Sequence, residues 1–324
     1  MLTVSGADLV WTGAAEIPGG VVRCAGGRVV DEDGPGEVLD ASGCVVTPGL
    51  VNAHHHLLQT AFRTLPGTRG VPMREWLPRM AAAYAAVGVD AELARTAAAA
   101  GLAEALLCGV TTVADHHLTW PSGDGVDLAT AVADAAAELG ARLVFVRGSA
   151  CDDPEQAAAS AEAIASALGG DDTGMVQVAV GPAGVHSDSE QTFALLGEVA
   201  ARHGLRRRTQ AGEQVDVEVA VERYGRRPLE LLDEWGWLAP DVTLAHLCGV
   251  TAEEIAVVAA AGVSVTHAPG CDVPMGGGSR PPRCWRTRGW RSGSAPVAGA
   301  ATTPGTSWPT PASRCRWRPW SDAR

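Results

Sequence analysis

The chain has 324 residues, a formal charge of −12, 46% hydrophobic and 19% charged residues, enough for one large α/β barrel or two ordinary domains and too apolar for a disordered tail. Every basic residue is arginine, and residues 277–324 hold nine of them against one acid, Asp322, whereas residues 1–276 hold sixteen against thirty-six acids, a net of −20. So acidic a body excludes a nucleic-acid binder, and eight cysteines without a C-x-x-C pair exclude a zinc ribbon or a disulfide framework. No apolar run reaches the length of a membrane span and no basic-then-apolar leader opens the chain, so no membrane partner and a reducing, cytoplasmic setting are expected.

Residues 1–48 alternate short β-rich runs (LTVSGADLVW, GVVRCAGGRVV, EVLDASGCVV) with Gly and Asp turns, which predicts small strands of a sheet domain. From residue 49 the period changes to short apolar runs alternating with long Ala-rich amphipathic stretches, the pattern of repeated β-α units on a parallel sheet. The predicted strands are 49–56, 110–117, 142–148, 175–182, 205–213, 242–249 and 263–270. Helices are predicted between them at 89–108, 128–139, 154–168, 189–203, 215–224 and 251–261, with N-terminal caps at Ser187-x-Ser189-Glu190 and a capping box at Thr251-x-x-Glu254. Seven such units predict an eight-stranded barrel lacking its last strand. The rival, an open sheet with a nucleotide site, is disfavoured because no strand is followed by G-x-G-x-x-G or G-x-x-x-x-G-K-[ST].

Barrel enzymes carry their reacting groups at the C-terminal ends of the strands, and the polar residues fall there. His54 and His56 end the first predicted strand two residues apart, a spacing that turns both imidazoles to one side as ligands of one metal require. His116 and His117 end the second, His186 follows the fourth, Glu213 ends the fifth, His246 lies near the end of the sixth and His267 near that of the seventh. One such histidine is ordinarily structural; six of seven strands delivering His or Glu at the same end point to a site.

The segments TPGLVNAHHHLLQTAFR, LCGVTTVADHH, GPAGVHSD, QAGE, LAHLCGV and THAPGCDVPMG together resemble the metal-dependent amidohydrolase superfamily, in the branch of triazine hydrolases and 8-oxoguanine and guanine deaminases. The resemblance runs nearly continuously over residues 1–276. It implies a (β/α)8 TIM-like barrel over residues 49–276 with a small β-sandwich, of which residues 1–48 are the N-terminal part. It further implies one divalent metal, zinc or iron, a homo-oligomer, and water attack on an sp2 carbon of a small heterocyclic substrate. Residue by residue, His54 and His56 match the first two metal ligands, and Glu213 matches the group that moves the proton from water to the departing nitrogen or chloride. His246 matches the histidine that contacts the attacked group, while Gln59, Trp76 and His117 match substrate-pocket positions; Trp76 equally suits core packing of a helix after the first strand. A binuclear centre bridged by a carboxylated lysine is excluded, since the chain has no lysine.

Two departures from the resemblance stand out. Where the family reads H-T-H-x-x-E, this chain reads Arg208-Thr209-Gln210-Ala211-Gly212-Glu213, so an amide occupies the third-ligand position and an arginine lies two residues before it. A neutral amide oxygen is a weaker donor than imidazole for such a metal, and each change is one nucleotide from a histidine codon. After residue 276 the expected continuation stops. Residues 277–324 carry five of the ten tryptophans and seven of the twenty prolines but no Leu, Ile, Phe or Met, which is not the composition of a packed domain. Reading them one base out of phase returns a helix, a glycine-ended strand and a following helix, so they read as a frameshifted tail without native-like structure. The alternative to an active hydrolase is therefore a catalytically impaired, truncated remnant of one.

Overall fold

In the computed structural model the described residues are 1–120, 123, 125–170 and 173–273. The expectation for residues 277–324 lies outside them. The chain divides into two compact units, Met1–Leu50 and Val51–Arg324.

The first unit is built from seven short strands. A four-stranded sheet joins β1 (Leu2–Ser5), β4 (Val22–Ala25), β5 (Arg28–Val30) and β6 (Glu37–Asp40) in the order β5-β4-β1-β6. A three-stranded sheet joins β2 (Leu9–Trp11), β3 (Glu16–Pro18) and β7 (Val45–Val46) in the order β3-β2-β7. Their small core is Ala7, Val10 and Ala41, with Val4, Val22 and Val46 packed against it.

From Val51 on, the second unit carries the parallel strands β8 (Leu50–His55, its first residue assigned to the first unit), β9 (Val110–His117), β10 (Arg142–Ser149), β11 (Val176–Pro182), β12 (Arg206–Ala211), β13 (Val242–His246) and β14 (Ser264–Thr266). Spatial order follows chain order from β8 to β14, giving a nearly closed parallel barrel of seven strands among the described residues. All seven predicted strands are present, five of them with trimmed ends, while β9 matches its predicted bounds and β10 runs one residue longer. The fifth stops at Ala211 instead of Glu213, and the seventh is shortened because the chain turns into α9 (Pro269–Asp272).

Around the strands lie α1 (Met73–Val87), α2 (Ala91–Leu107), α3 (Val126–Leu139), α4 (Pro154–Leu168), α5 (Glu190–His203), α6 (Gln214–Tyr224), α7 (Pro228–Glu234) and α8 (Ala252–Ala260). Their starts are chemically defined. Asp153 accepts from the amides of Glu155 and Gln156 ahead of Pro154 at the first helical position, Ser189 accepts from Thr192 N, and Thr251 with Glu254 closes the predicted capping box. The Ala-rich faces let helices approach closely: Ala94, Ala98 and Leu102 of α2 share one buried cluster with Leu128, Val132 and Ala136 of α3 and with Phe145 of β10. A second cluster joins Phe193, Leu196 and Val199 of α5 to Leu232, Trp237 and Leu244. Burial on both faces explains why β13 reads VTLAH, every residue of it buried, as a continuous run without alternation.

Candidate functional site

The C-terminal ends of the barrel strands open into a cavity of ≈ 780 Å³. One wall is apolar and comes from α1, whose Met73, Trp76, Leu77 and Met80 face it. The floor is polar, and His56, His116, His117, His186, Gln210, Glu213 and His246 all reach it. Gln59 and Trp76 therefore line the same cavity as His117, Gln210, Glu213 and His246. Trp76 also meets its other expectation, since it packs with Leu58, Phe62 and Met80 while its Nε1 is buried without a hydrogen-bond partner.

His54 lies among the floor histidines, its ring centroid 4.8 Å from that of His56 and 5.1 Å from that of His246. Only His54 belongs to β8; His56 is the first residue past it and opens the 3-10 turn Leu57–Phe62. That turn is pinned by Asp115 on β9, whose Oδ1 accepts from Leu57 N at 2.7 Å. His56 donates from Nδ1 to the carbonyl of His116 at 2.6 Å, which leaves Nε2 as the bare ring nitrogen. The Nε2 of His54 is buried with no partner. Burial, reinforced by the neighbouring histidines, holds His54 well below the ordinary imidazole range, and burial also lowers His56. Two neutral imidazoles with unengaged nitrogens fit a divalent cation.

The rest of the expected ligand set differs. Gln210 Oε1 accepts from His246 Nε2 at 3.0 Å. Arg208 points into the barrel and donates from its guanidinium to the carbonyl of Ala53, next to His54, and burial brings it down to about 10. Both residues are thus held by protein partners of their own.

Glu213 sits at the N-cap of α6 instead of in a strand because the chain turns at Gly212, whose φ of 68° is left-handed and whose amide donates to Asp216 Oδ2 at 2.9 Å. Burial raises the Glu213 carboxyl above its ordinary range, against the opposing pull of His246 and His186. His246 is 2% exposed and has φ +74°, an uncommon geometry for a residue with a Cβ. Its Nδ1 donates to Asp272 Oδ1 at 2.8 Å and lies 3.5 Å from Glu213 Oε1. Burial disfavours its charge, but Glu213 and Asp272 overcome that and raise it to about 9.

His116 and His186, which the strand-end pattern marked without assigning them a role, also belong to the site, and Asp272 joins it without having been singled out in the sequence. His116 lines the floor, donating from Nε2 to Gly181 O at 2.9 Å. Its placement depends on Gly148, where a Cβ would come within 2.6 Å of the His116 ring and 2.5 Å of the His117 carbonyl. His186 pairs with Asp216 at 3.1 Å; burial opposes its protonation, but that hydrogen bond prevails and raises it. Asp272 joins the site from α9. It follows His267 by five residues in a stretch with no helical or strand period, so no pattern marked it. His117 is buried, donating from Nε2 to Thr119 O at 2.9 Å and meeting Trp120 edge-on.

This geometry can be set beside known proteins. Over 281 residues the chain is 34% identical to 8-oxoguanine deaminase of Pseudomonas aeruginosa, covering 79% of this chain and 62% of that protein. It is 31% identical to isoxanthopterin deaminase of an unknown prokaryotic organism, covering 83% and 60%. The chain thus spans about three fifths of the length of these curated relatives. Its fold is similar to atrazine chlorohydrolase of Arthrobacter aurescens TC1 complexed with zinc, at a TM-score of 0.84 and 28% identity over 94% of this chain and 74% of that one. The amidohydrolase family model matches residues 45–275, which contain every floor residue described above, and the chain belongs to that family.

Proposed function

We propose that this barrel hydrolyses a bond between a ring carbon and an amino nitrogen, or chloride, on a nitrogen heterocycle such as an aminated purine, pyrimidine or triazine. The observation that carries the reading is the convergence of His56, Glu213 and His246 at the polar floor of a cavity whose α1 wall is apolar, with His54 packed against His56 and His246. A flat, partly polar ring suits such a space.

His54 and His56 would hold one divalent metal, zinc by analogy with the zinc-bound chlorohydrolase, with iron as the other candidate. When bound, the ion supplies Lewis acidity that makes water nucleophilic near neutral pH. Glu213, whose raised pKa suits proton exchange, takes a proton from the attacking water and delivers it to the departing nitrogen, so that ring–NH2 and water become ring–OH and ammonia. His246 would contact the attacked centre through Nε2, which Gln210 engages in this structure, and stabilise the charge that grows there. Trp76 stacks against the ring, while Gln59 and His117 supply polar contacts at its edge. No described helix is long and apolar enough to cross a membrane. The six described cysteines are free thiols, in keeping with the proposed cytoplasmic setting, and a homo-oligomer is the proposed assembly.

A second reading, a remnant with weakened metal affinity, is favoured by one observation: the Gln210 oxygen is engaged by His246 and a buried guanidinium lies beside His54. One experiment separates the two. Histidine is introduced at positions 208 and 210, residues from 277 onward are read in the alternative frame, and metal content and ammonia release are measured across a panel of aminated heterocycles. One metal per chain with ammonia from a ring amine supports the hydrolase. No metal refutes the ligand assignment, and metal without turnover refutes the substrate class.

A further inference from the structure

Beneath the cavity, Glu213, His246 and Asp272 bring one ligand atom each to within 4.8 Å of one another, all three side chains being buried. Glu213 Oε2 and Asp272 Oδ2 have no hydrogen-bond partner, on residues that are 6% and 4% exposed. Two buried carboxyl groups share the one imidazole between them, at 3.5 Å and 2.8 Å. Of the other nearby groups, His186 is bound to Asp216, Arg208 to the Ala53 carbonyl, His267 donates to the His246 carbonyl at 3.0 Å while lying 3.8 Å from Asp272 Oδ2, and the buried Cys248 thiol lies against Asp272. Bare carboxylate oxygens in a buried place are costly unless a cation meets them.

Gln210 gives this cluster its direction. Its Oε1 can only accept, so it keeps a proton on His246 Nε2; a cation that displaces the Nδ1 proton now given to Asp272 Oδ1 then finds Nδ1, the nitrogen facing both carboxyl groups, as its ligand. A ligating histidine characteristically donates its other N–H to an oxygen in this way, which fixes its ring. The residue that departs from the expected histidine thereby orients a different ligand.

We propose that Glu213, His246 through Nδ1, and Asp272 form a divalent-cation site distinct from the His54–His56 position, with Gln210 as the residue that positions His246. One imidazole and two carboxylates suit Mn2+, Fe2+ or Zn2+ better than a soft thiophilic ion. A cation there engages Glu213 and removes it from proton transfer, so excess metal would inhibit the hydrolysis proposed above. The cation site itself rests on the cluster's geometry and stands independently of that reaction.

The test uses Mn2+ alone and the full-length chain. In His54→Ala/His56→Ala, equilibrium titration followed by electron paramagnetic resonance is expected to show one bound Mn2+ per chain. In that background Gln210→Leu should weaken binding about 10–100-fold, the range for loss of an orienting partner, and Asp272→Asn at least as much. Absence of Mn2+ binding by the double variant, with native-like circular dichroism, overturns the proposal, as does unchanged binding by Asp272→Asn. Should the double variant unfold, Asp272→Asn in the otherwise unaltered chain decides: loss of one equivalent supports the site, and full retention overturns it.

Discussion

Replacing Asp115 with alanine should destabilise the barrel, chiefly through the hydrogen bond that it accepts from Leu57. Asp115 is completely buried on β9, and its Oδ1 accepts from Leu57 N at 2.7 Å. Leu57 is itself 1% exposed, so no water can take the place of the carboxylate. A hydrogen bond to a charged group contributes about 1.5–3 kcal/mol, and removing one partner leaves the other buried and unsatisfied. For a unit of this size about 2–3 kcal/mol corresponds to a fall in Tm of roughly 4–12 °C. Asp115→Asn keeps an acceptor oxygen and should lose less than half as much. Burial raises the Asp115 pKa, but His117 and the Leu57 amide outweigh it, so the folded value lies below the ordinary one. Its contribution is therefore fully present above the ordinary carboxylate range and is lost only as pH falls through the lowered value; the difference between wild type and Asp115→Ala should be constant from pH 5 to 8. The assay is calorimetric melting of the three proteins over that range. Equal melting of Asp115→Ala and wild type, or equal losses in the Ala and Asn variants, would refute the reasoning.

Phe193 is fully buried, 5.0 Å edge-on from Trp237, and its carbonyl accepts from the Trp237 indole at 3.1 Å. Phe193→Ala should cost about 3–5 kcal/mol in urea unfolding, with the backbone acceptor retained. Asp188 behaves in the opposite sense to Asp115: burial raises it to about 6, even though Ser149 and Ser187 both donate to it at 2.6 Å. The folded state therefore binds the extra proton between the ordinary carboxylate value and about 6, and stability falls as pH rises through that window by on the order of 2–3 kcal/mol. Asp188→Asn should flatten that slope in urea midpoints measured from pH 4 to 7, and an unchanged slope would contradict the assignment.

The barrel was legible because its strands are short β-rich runs bounded by Ala-rich stretches, and because histidines recur at the strand ends. His56, Gln59, Trp76, His117, Gln210, Glu213 and His246 line one cavity and His54 packs against His56 and His246, while their individual roles remain part of the proposal. Boundaries were less legible. Glu213 read as the end of a strand since nothing in the sequence says that Gly212 takes a left-handed φ or that Asp216 catches its amide. The α1 wall was visible only as a setting for Trp76, and α7, seven residues long, is too short to show a period. Asp272 stayed hidden for a different reason: it reaches His246 across 26 residues of chain, and a carboxylate–imidazole contact at that separation leaves no local pattern. Gln210 was read as a defective ligand; its geometric role emerged only once its amide was placed against His246 Nε2.

The central claim is that Glu213 moves protons for hydrolysis at the cavity floor. The most direct measurement compares ammonia release from a ring amine by the chain carrying His at 208 and 210 and the restored frame with that by the same chain carrying Glu213→Gln, both loaded with zinc. A fall in kcat of about 10²–10⁴, the usual contribution of a general acid–base, with the zinc at His54 and His56 retained, is the predicted result. Equal kcat in the two proteins would contradict the account.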